Sequence, residues 1–179
     1  LTVAVTGATT PGQIDTVNLA TMGDVGLGAN LTLAGVELIN VTMAADAAAT
    51  AGVFTVSDMT NVAAMTSFVV NGAGTLSLTT DALAVASNAS INASAVTGVA
   101  GTDTVTIDAG LSTANGLTIT GSATLANTLD AATGLAAGKT SVLVGGAAGD
   151  TLTADSTTGS NSIITAGEGN NTISAVSSN

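Results

Sequence analysis

The chain has 179 residues, of which 46% are hydrophobic, 1% aromatic and 7% charged; its formal net charge is −11 and Lys139 is its one cation. Binding to phosphate or to anionic lipid needs clustered Lys and Arg, so nucleic acid is not expected as a partner and anionic membrane surfaces are disfavoured. With no Cys and no His, the sequence also excludes disulfides, zinc sites, Ser–His and Cys–His nucleophiles and imidazole acid–base chemistry.

No apolar run approaches the roughly 18 residues that a membrane-spanning helix needs, so no membrane insertion is expected. The chain opens at Leu1 without a basic stretch followed by an apolar one. It therefore reads as an internal or C-terminal fragment with no signal peptide. Its apolar side chains are mostly Ala, Val, Leu and Ile. These suit a thin core of stacked aliphatic layers rather than a thick core built around rings. Disordered chains combine low hydrophobicity with high charge, and this one has neither.

In chain order, short apolar alternations recur: Val3/Val5, Val17/Leu19, Leu31/Leu33, Leu76/Leu78, Val105/Ile107, Leu117/Ile119 and Val142/Val144. Thr or Ser often fills the positions between them. This two-residue period predicts strands with one buried face. Clusters at Gly26–Asn30, Asn71–Gly74 and Gly145–Asp150 supply residues that tolerate tight corners and are expected to separate strands. Two stretches break the pattern. Ala44–Ala51 and Asp58–Phe68 contain Ala and Met, and both a short helix and a tight rung interior remain open for them. Rungs are expected every ten to fifteen residues or so, which favours a parallel β-helix of short rungs over a sandwich.

A tripeptide recurs in which Asp or Asn is followed by Ser or Thr and then by Val, Leu or Ile. It stands at Asp15-Thr16-Val17, Asp103-Thr104-Val105, Asn127-Thr128-Leu129, Asp150-Thr151-Leu152, Asn161-Ser162-Ile163 and Asn171-Thr172-Ile173. The reading is a corner followed by a strand. The polar side chain bonds the turn backbone and the aliphatic residue two places later points inward.

The strongest motif is C-terminal. Gly145-Gly146-Ala147-Ala148-Gly149-Asp150-Thr151-Leu152 and Gly167-Glu168-Gly169-Asn170-Asn171-Thr172-Ile173 follow a Gly-rich nonapeptide pattern, with Gly159-Ser160-Asn161-Ser162-Ile163 as a weaker copy. This end resembles RTX repeats, the calcium-binding β-rolls of proteins exported by type I secretion. The departures are Ala148 in place of a glycine, and Asn161 and Asn171 in place of aspartates. Neutral ligands lower the charge at a site and hence its affinity. The resemblance implies calcium as cofactor and Asp150, Gly146, Gly149, Asn161, Asn171, Gly167 and Gly169 as ligand-bearing positions, with Asp103 as a further candidate ligand. The division expected is an array over 1–144 continuous with RTX-like repeats over 145–179.

Leu33-Ala34-Gly35-Val36-Glu37-Leu38-Ile39-Asn40-Val41 and Ser90-Ile91-Asn92-Ala93-Ser94-Ala95-Val96-Thr97-Gly98 are similar to phrases of RTX-type surface-layer proteins, the Caulobacter type among them. That resemblance implies a secreted, calcium-dependent structural protein that assembles with copies of itself into a lattice on the cell surface. A cell-surface polysaccharide contact would fall to a part outside this chain. A repeat segment of a large secreted RTX adhesin is the alternative. Glu37 is a candidate calcium ligand or a plain turn residue.

No enzyme is expected. Asp103 and Asp108 form the nearest acid pair and read as corners at either end of one strand, while Phe54 and Phe68 are too few to build a sugar platform. Thr104-Val105-Thr106 and Thr118-Ile119-Thr120 resemble the threonine ladders of ice-binding solenoids, but no register over several rungs is visible in the sequence. Glycosylation sequons occur at Asn30, Asn40, Asn88, Asn92 and Asn170, as expected by chance in a chain rich in Asn, Ser and Thr.

Overall fold

A computed structural model describes residues 13–27, 31–44, 52–57, 59–60, 62–79, 88–109, 116–131, 135, 137–155 and 157–175. Among them every regular element is a strand: β1 (Thr16–Met22), β2 (Val25–Leu27), β3 (Leu31–Thr32), β4 (Leu38–Ala44), β5 (Gly52–Val56), β6 (Met59–Thr60), β7 (Ser67–Thr79), β8 (Ala89–Thr97), β9 (Thr104–Asp108), β10 (Leu117–Thr120), β11 (Ala126–Asp130), β12 (Thr140–Val144), β13 (Thr151–Ala154), β14 (Asn161–Thr165) and β15 (Thr172–Ala175). All pairings are parallel and join each strand to one in the next coil. The fold is the expected all-β solenoid.

Two faces run along it. The first stacks β1, β4, the start of β7, β8, β10, β12 and β14. The second stacks β2, β5, the end of β7, β9, β11, β13 and β15. A short third sheet, β3 on β6, closes the side of the first two coils.

The alternation seen in the sequence fixes which side chains turn inward. On the first face Val17, Ile39, Phe68, Ile91, Ile119, Leu143 and Ile164 lie in register, one above another. On the second face Val56, Leu78, Ile107, Leu129 and Leu152 do the same. Those of both stacks are buried, except Ile164 in the last coil. Burying such a side chain contributes about 1.5–3 kcal/mol, so each coil stabilises itself by capping its neighbour. Val105, Ile107, Leu117 and Ile119 are inside as expected, while Thr104 is exposed and Thr106 and Thr118 half-buried.

Two sequence expectations need correction, and one open stretch is decided. Spacings of ten to fifteen residues describe strands, not coils: Leu38 of β4 pairs with Ser67 of β7, and Thr140 of β12 with Asn161 of β14, so one coil takes 21 to 29 residues. Asn71–Gly74 does not separate strands. It lies inside β7, which runs through the corner and pairs on both faces. Gly74 makes that corner possible: its φ is 132°, and a Cβ there would collide with the Gly52 carbonyl of the coil beside it. Residues 59–60 form β6 and Met65 N donates to the Val62 carbonyl at 2.9 Å, so the 58–68 stretch holds a strand and a turn where a helix was open. Of the other open stretch, Ala44 ends β4 and 45–51 lie outside the described residues.

Candidate functional site

Four of the six polar residues singled out by the tripeptide lie at one corner, where each coil passes from the first face to the second. Asp103 precedes β9, Asn127 lies in β11, Asp150 precedes β13 and Asn171 precedes β15. The parity that turns Val105 and Leu129 inward also turns these corner side chains inward. Asp103, Asn127 and Asp150 are buried, at 8%, 2% and 1% exposure, and Asn171 is half-buried.

Each side chain does two jobs, one within its own corner and one between coils. Asp103 accepts the Val99 N–H on Oδ2 at 2.7 Å and the Thr75 hydroxyl of the preceding coil on Oδ1 at 3.0 Å. Asn127 accepts the Ser122 N–H at 2.6 Å and donates through Nδ2 to the Ser122 and Leu125 carbonyls, each at 3.0 Å. Asp150 accepts the Gly146 N–H on Oδ2 at 2.7 Å, and on Oδ1 both the backbone N–H and the side-chain amide of Asn127, each at 2.9 Å. Asn171 accepts the Asp150 N–H at 2.9 Å and donates to the Gly167 and Glu168 carbonyls at 3.3 and 3.1 Å. The result is a continuous polar ladder from Asn127 through Asp150 to Asn171, with Thr75 and Asp103 forming a rung of the same kind in the coils before.

The glycines serve the same corner. Gly167 has a φ of 77°, and a Cβ there would strike the Gly146 carbonyl; one at Gly146 would strike the Ser122 carbonyl. Gly149 and Gly169 sit in the same two corners, stacked against Asn170 and Ala148. So Asp150, Gly146, Gly149, Asn171, Gly167 and Gly169 are brought together. Asn161 is not. It begins β14 at the opposite corner, exposed, and its N–H bonds the Lys139 carbonyl at 2.8 Å. Instead of Asp150, Asn161 and Asn171, the corner stacks Asn127, Asp150 and Asn171; Asp103 lies two residues out of that register, since Asn127 pairs with Val105.

No protein-family model, curated protein or solved structure matches the chain.

At the opposite corner Glu37 closes a simpler ladder. Its Oε2 accepts the Asp15 N–H at 2.8 Å, and its carbonyl accepts the Thr66 and Ser67 N–H groups at 2.9 and 3.1 Å. Among the described residues the Asp15 Oδ2 and Asp155 Oδ2 atoms are buried without a hydrogen-bond partner. Asp103 and Asp108 flank β9 as the sequence suggests. Asp103 lies on the inward side and Asp108 on the outward side, so the two carboxylates do not face a common cleft.

Ser122 is the residue sequence reasoning missed at this site, and Asn127, though part of the recurring tripeptide, was not among the candidate ligands. Ser122 is fully buried; its hydroxyl donates to the Val96 carbonyl at 2.7 Å and accepts the Thr124 and Leu125 N–H groups. The Gly121-Ser122 pair six and five places before Asn127 was the available signal. It parallels Gly145-Gly146 before Asp150, one residue longer.

Proposed function

We propose that this chain is a structural, non-enzymatic segment of a secreted bacterial surface layer that associates with copies of itself, with calcium ordering its C-terminal end. The observation that carries the reading is the polar ladder. The acid and amide side chains of four corners are committed to joining one coil to the next, which is the chemistry of a load-carrying rod rather than of a reactive cleft. The RTX-like Gly-rich corners and the surface-layer phrases at Leu33–Val41 and Ser90–Gly98 support the cell-surface setting.

Calcium enters this reading at the Gly146–Asp150 and Gly167–Asn171 corners, which are neighbours in one stack. The donor chemistry there is oxygen-rich but has only Asp150 and Glu168 as carboxylates, and Asp150 already accepts three N–H bonds. An ion would compete with those donors, so its affinity falls in the weak extracellular range. Once bound, calcium supplies positive charge between coils that no side chain of this chain provides there.

Electron microscopy of the purified protein with calcium and with chelator tests the reading. Ordered two-dimensional sheets that dissolve in chelator are expected. Isolated rods in both conditions would sink the lattice and favour the adhesin segment.

A further inference from the structure

The outward side of the second face carries a file of hydroxyls in register. Thr55, Ser77, Thr106, Thr128, Thr151 and Thr172 are consecutive partners from β5 to β15. They alternate with the buried aliphatic stack of that face, so their side chains stand outward. Thr128, Thr151 and Thr172 are exposed and the others half-buried. The register that was invisible in the sequence is kept here because coils of different length absorb their differences at the corners. Thr118, which looked like part of such a ladder, belongs to the other face.

Three features distinguish this file. Its pairing has no register shift, whereas the first face has one at Val69/Asn71. Its chemistry is uniform, whereas the matching file of the first face runs Thr16, Leu38, Ser67, Ser90, Thr118, Val142 and Ile163. It also carries no charge. A second file beside it, Thr79, Asp108, Asp130, Thr153 and Ser174, has hydroxyls at its ends and carboxylates at its centre.

Parallel strands set the hydroxyls of this file about 4.8 Å apart across the coils, and about 6.6 Å along each strand the second file adds oxygens, as carboxylates at Asp108 and Asp130 and as hydroxyls at Thr79, Thr153 and Ser174. Five of the six are threonines, which are stiff at χ1, so their hydroxyls have little freedom to lose. A small soluble ligand needs a concave site with convergent groups, and a sugar chain needs aromatic platforms; this face has neither. Its counterpart is a rigid, extended net of oxygens with closely similar repeats, which is what a prism face of ice presents. Single threonine–water bonds are weak, but a file fixed in advance orders its water without further loss of side-chain freedom.

We propose that the second face of the solenoid, through the Thr55–Thr172 file, binds ice. The test uses the whole chain, free in solution, in a nanolitre osmometer with single ice crystals. Faceted crystals and a gap between melting and growth temperatures are expected. Thr128→Lys and Thr151→Lys, which insert a long charged side chain into the file, should lose both effects. Thr118→Lys on the first face should keep both, and circular dichroism should show the same strand signal for all three variants. Round, unfaceted crystals with the unaltered chain would overturn the proposal, as would equal activity of Thr151→Lys and Thr118→Lys. Neither result depends on whether sheets form in calcium, so failure here is distinguishable from failure of the surface-layer reading.

Discussion

Asp150 accepts two backbone donors, the Gly146 and Asn127 N–H groups, and the Asn127 amide, which also reaches the Ser122 and Leu125 carbonyls. A buried donor left without its partner costs about 1–3 kcal/mol, so orphaning these two backbone donors by Asp150→Ala should cost at least about 2 kcal/mol. Asn171→Ala leaves the Asp150 N–H unpaired in a half-buried corner and should cost about 1 kcal/mol. Urea titration with an unchanged slope would measure both; equal midpoints for the two variants would refute the ladder as the source of stability. At this scale the sequence was informative in one respect. The tripeptide correctly implies a side chain bonded to its own turn at Asp103, Asn127, Asp150 and Asn171. Which corner each copy occupies was not legible. Asp15 and Asn161 share the tripeptide but fall at the other corner, because local turn chemistry is the same at both and only the path of the whole coil tells them apart.

At the scale of the strand, legibility depended on inward-outward parity. Leu117-Thr118-Ile119-Thr120 becomes β10, with Leu117 and Ile119 buried and both threonines half-buried. Ile119 is fully buried between its register partners Ile91 and Leu143. Ile119→Ala should cost about 2–5 kcal/mol, the range for truncating a packed core aliphatic whose site cannot collapse. A loss below the range in thermal unfolding would mean that the rung interior is loose. What alternation could not supply was the coil. Each coil contributes a strand to two faces, and corners of unequal length separate them. The corner is absent within β7 and is six residues long before β9 and β13, so no fixed period survives in the sequence. The Asn71–Gly74 cluster has the composition of a loop, yet Gly74 uses its freedom to bend a strand without breaking it.

For the molecule as a whole, stability in a solenoid is a sum of coil and interface terms, each coil depending on its neighbours. The structure grades along its axis. Phe68, Leu76 and Leu78 of β7 are fully buried, while the inward Ile164 of β14 is half-buried and the inward Ile173 of β15 is 54% exposed. Hydrogen exchange should therefore be slowest near β7 and fastest over 161–175, since protection follows local burial. Calcium acts on the weak end if the RTX resemblance is functional. Its candidate ligands lie in two neighbouring corners that exist only in the folded coil, so binding and ordering are coupled. Few of them are charged, which places affinity on the order of 0.1–1 mM. Such an ion would be absent in the cytoplasm and present outside the cell, leaving this end loose during export and firm afterwards. Protection of 145–174 should rise in millimolar calcium relative to chelator, while that of 67–79 stays unchanged. Asp150→Ala should abolish the rise more fully than Asn171→Ala, since it removes a full negative charge. Equal protection in calcium and chelator would leave the three N–H bonds of Asp150 as a sufficient account of the corner, and the calcium reading would have to be dropped.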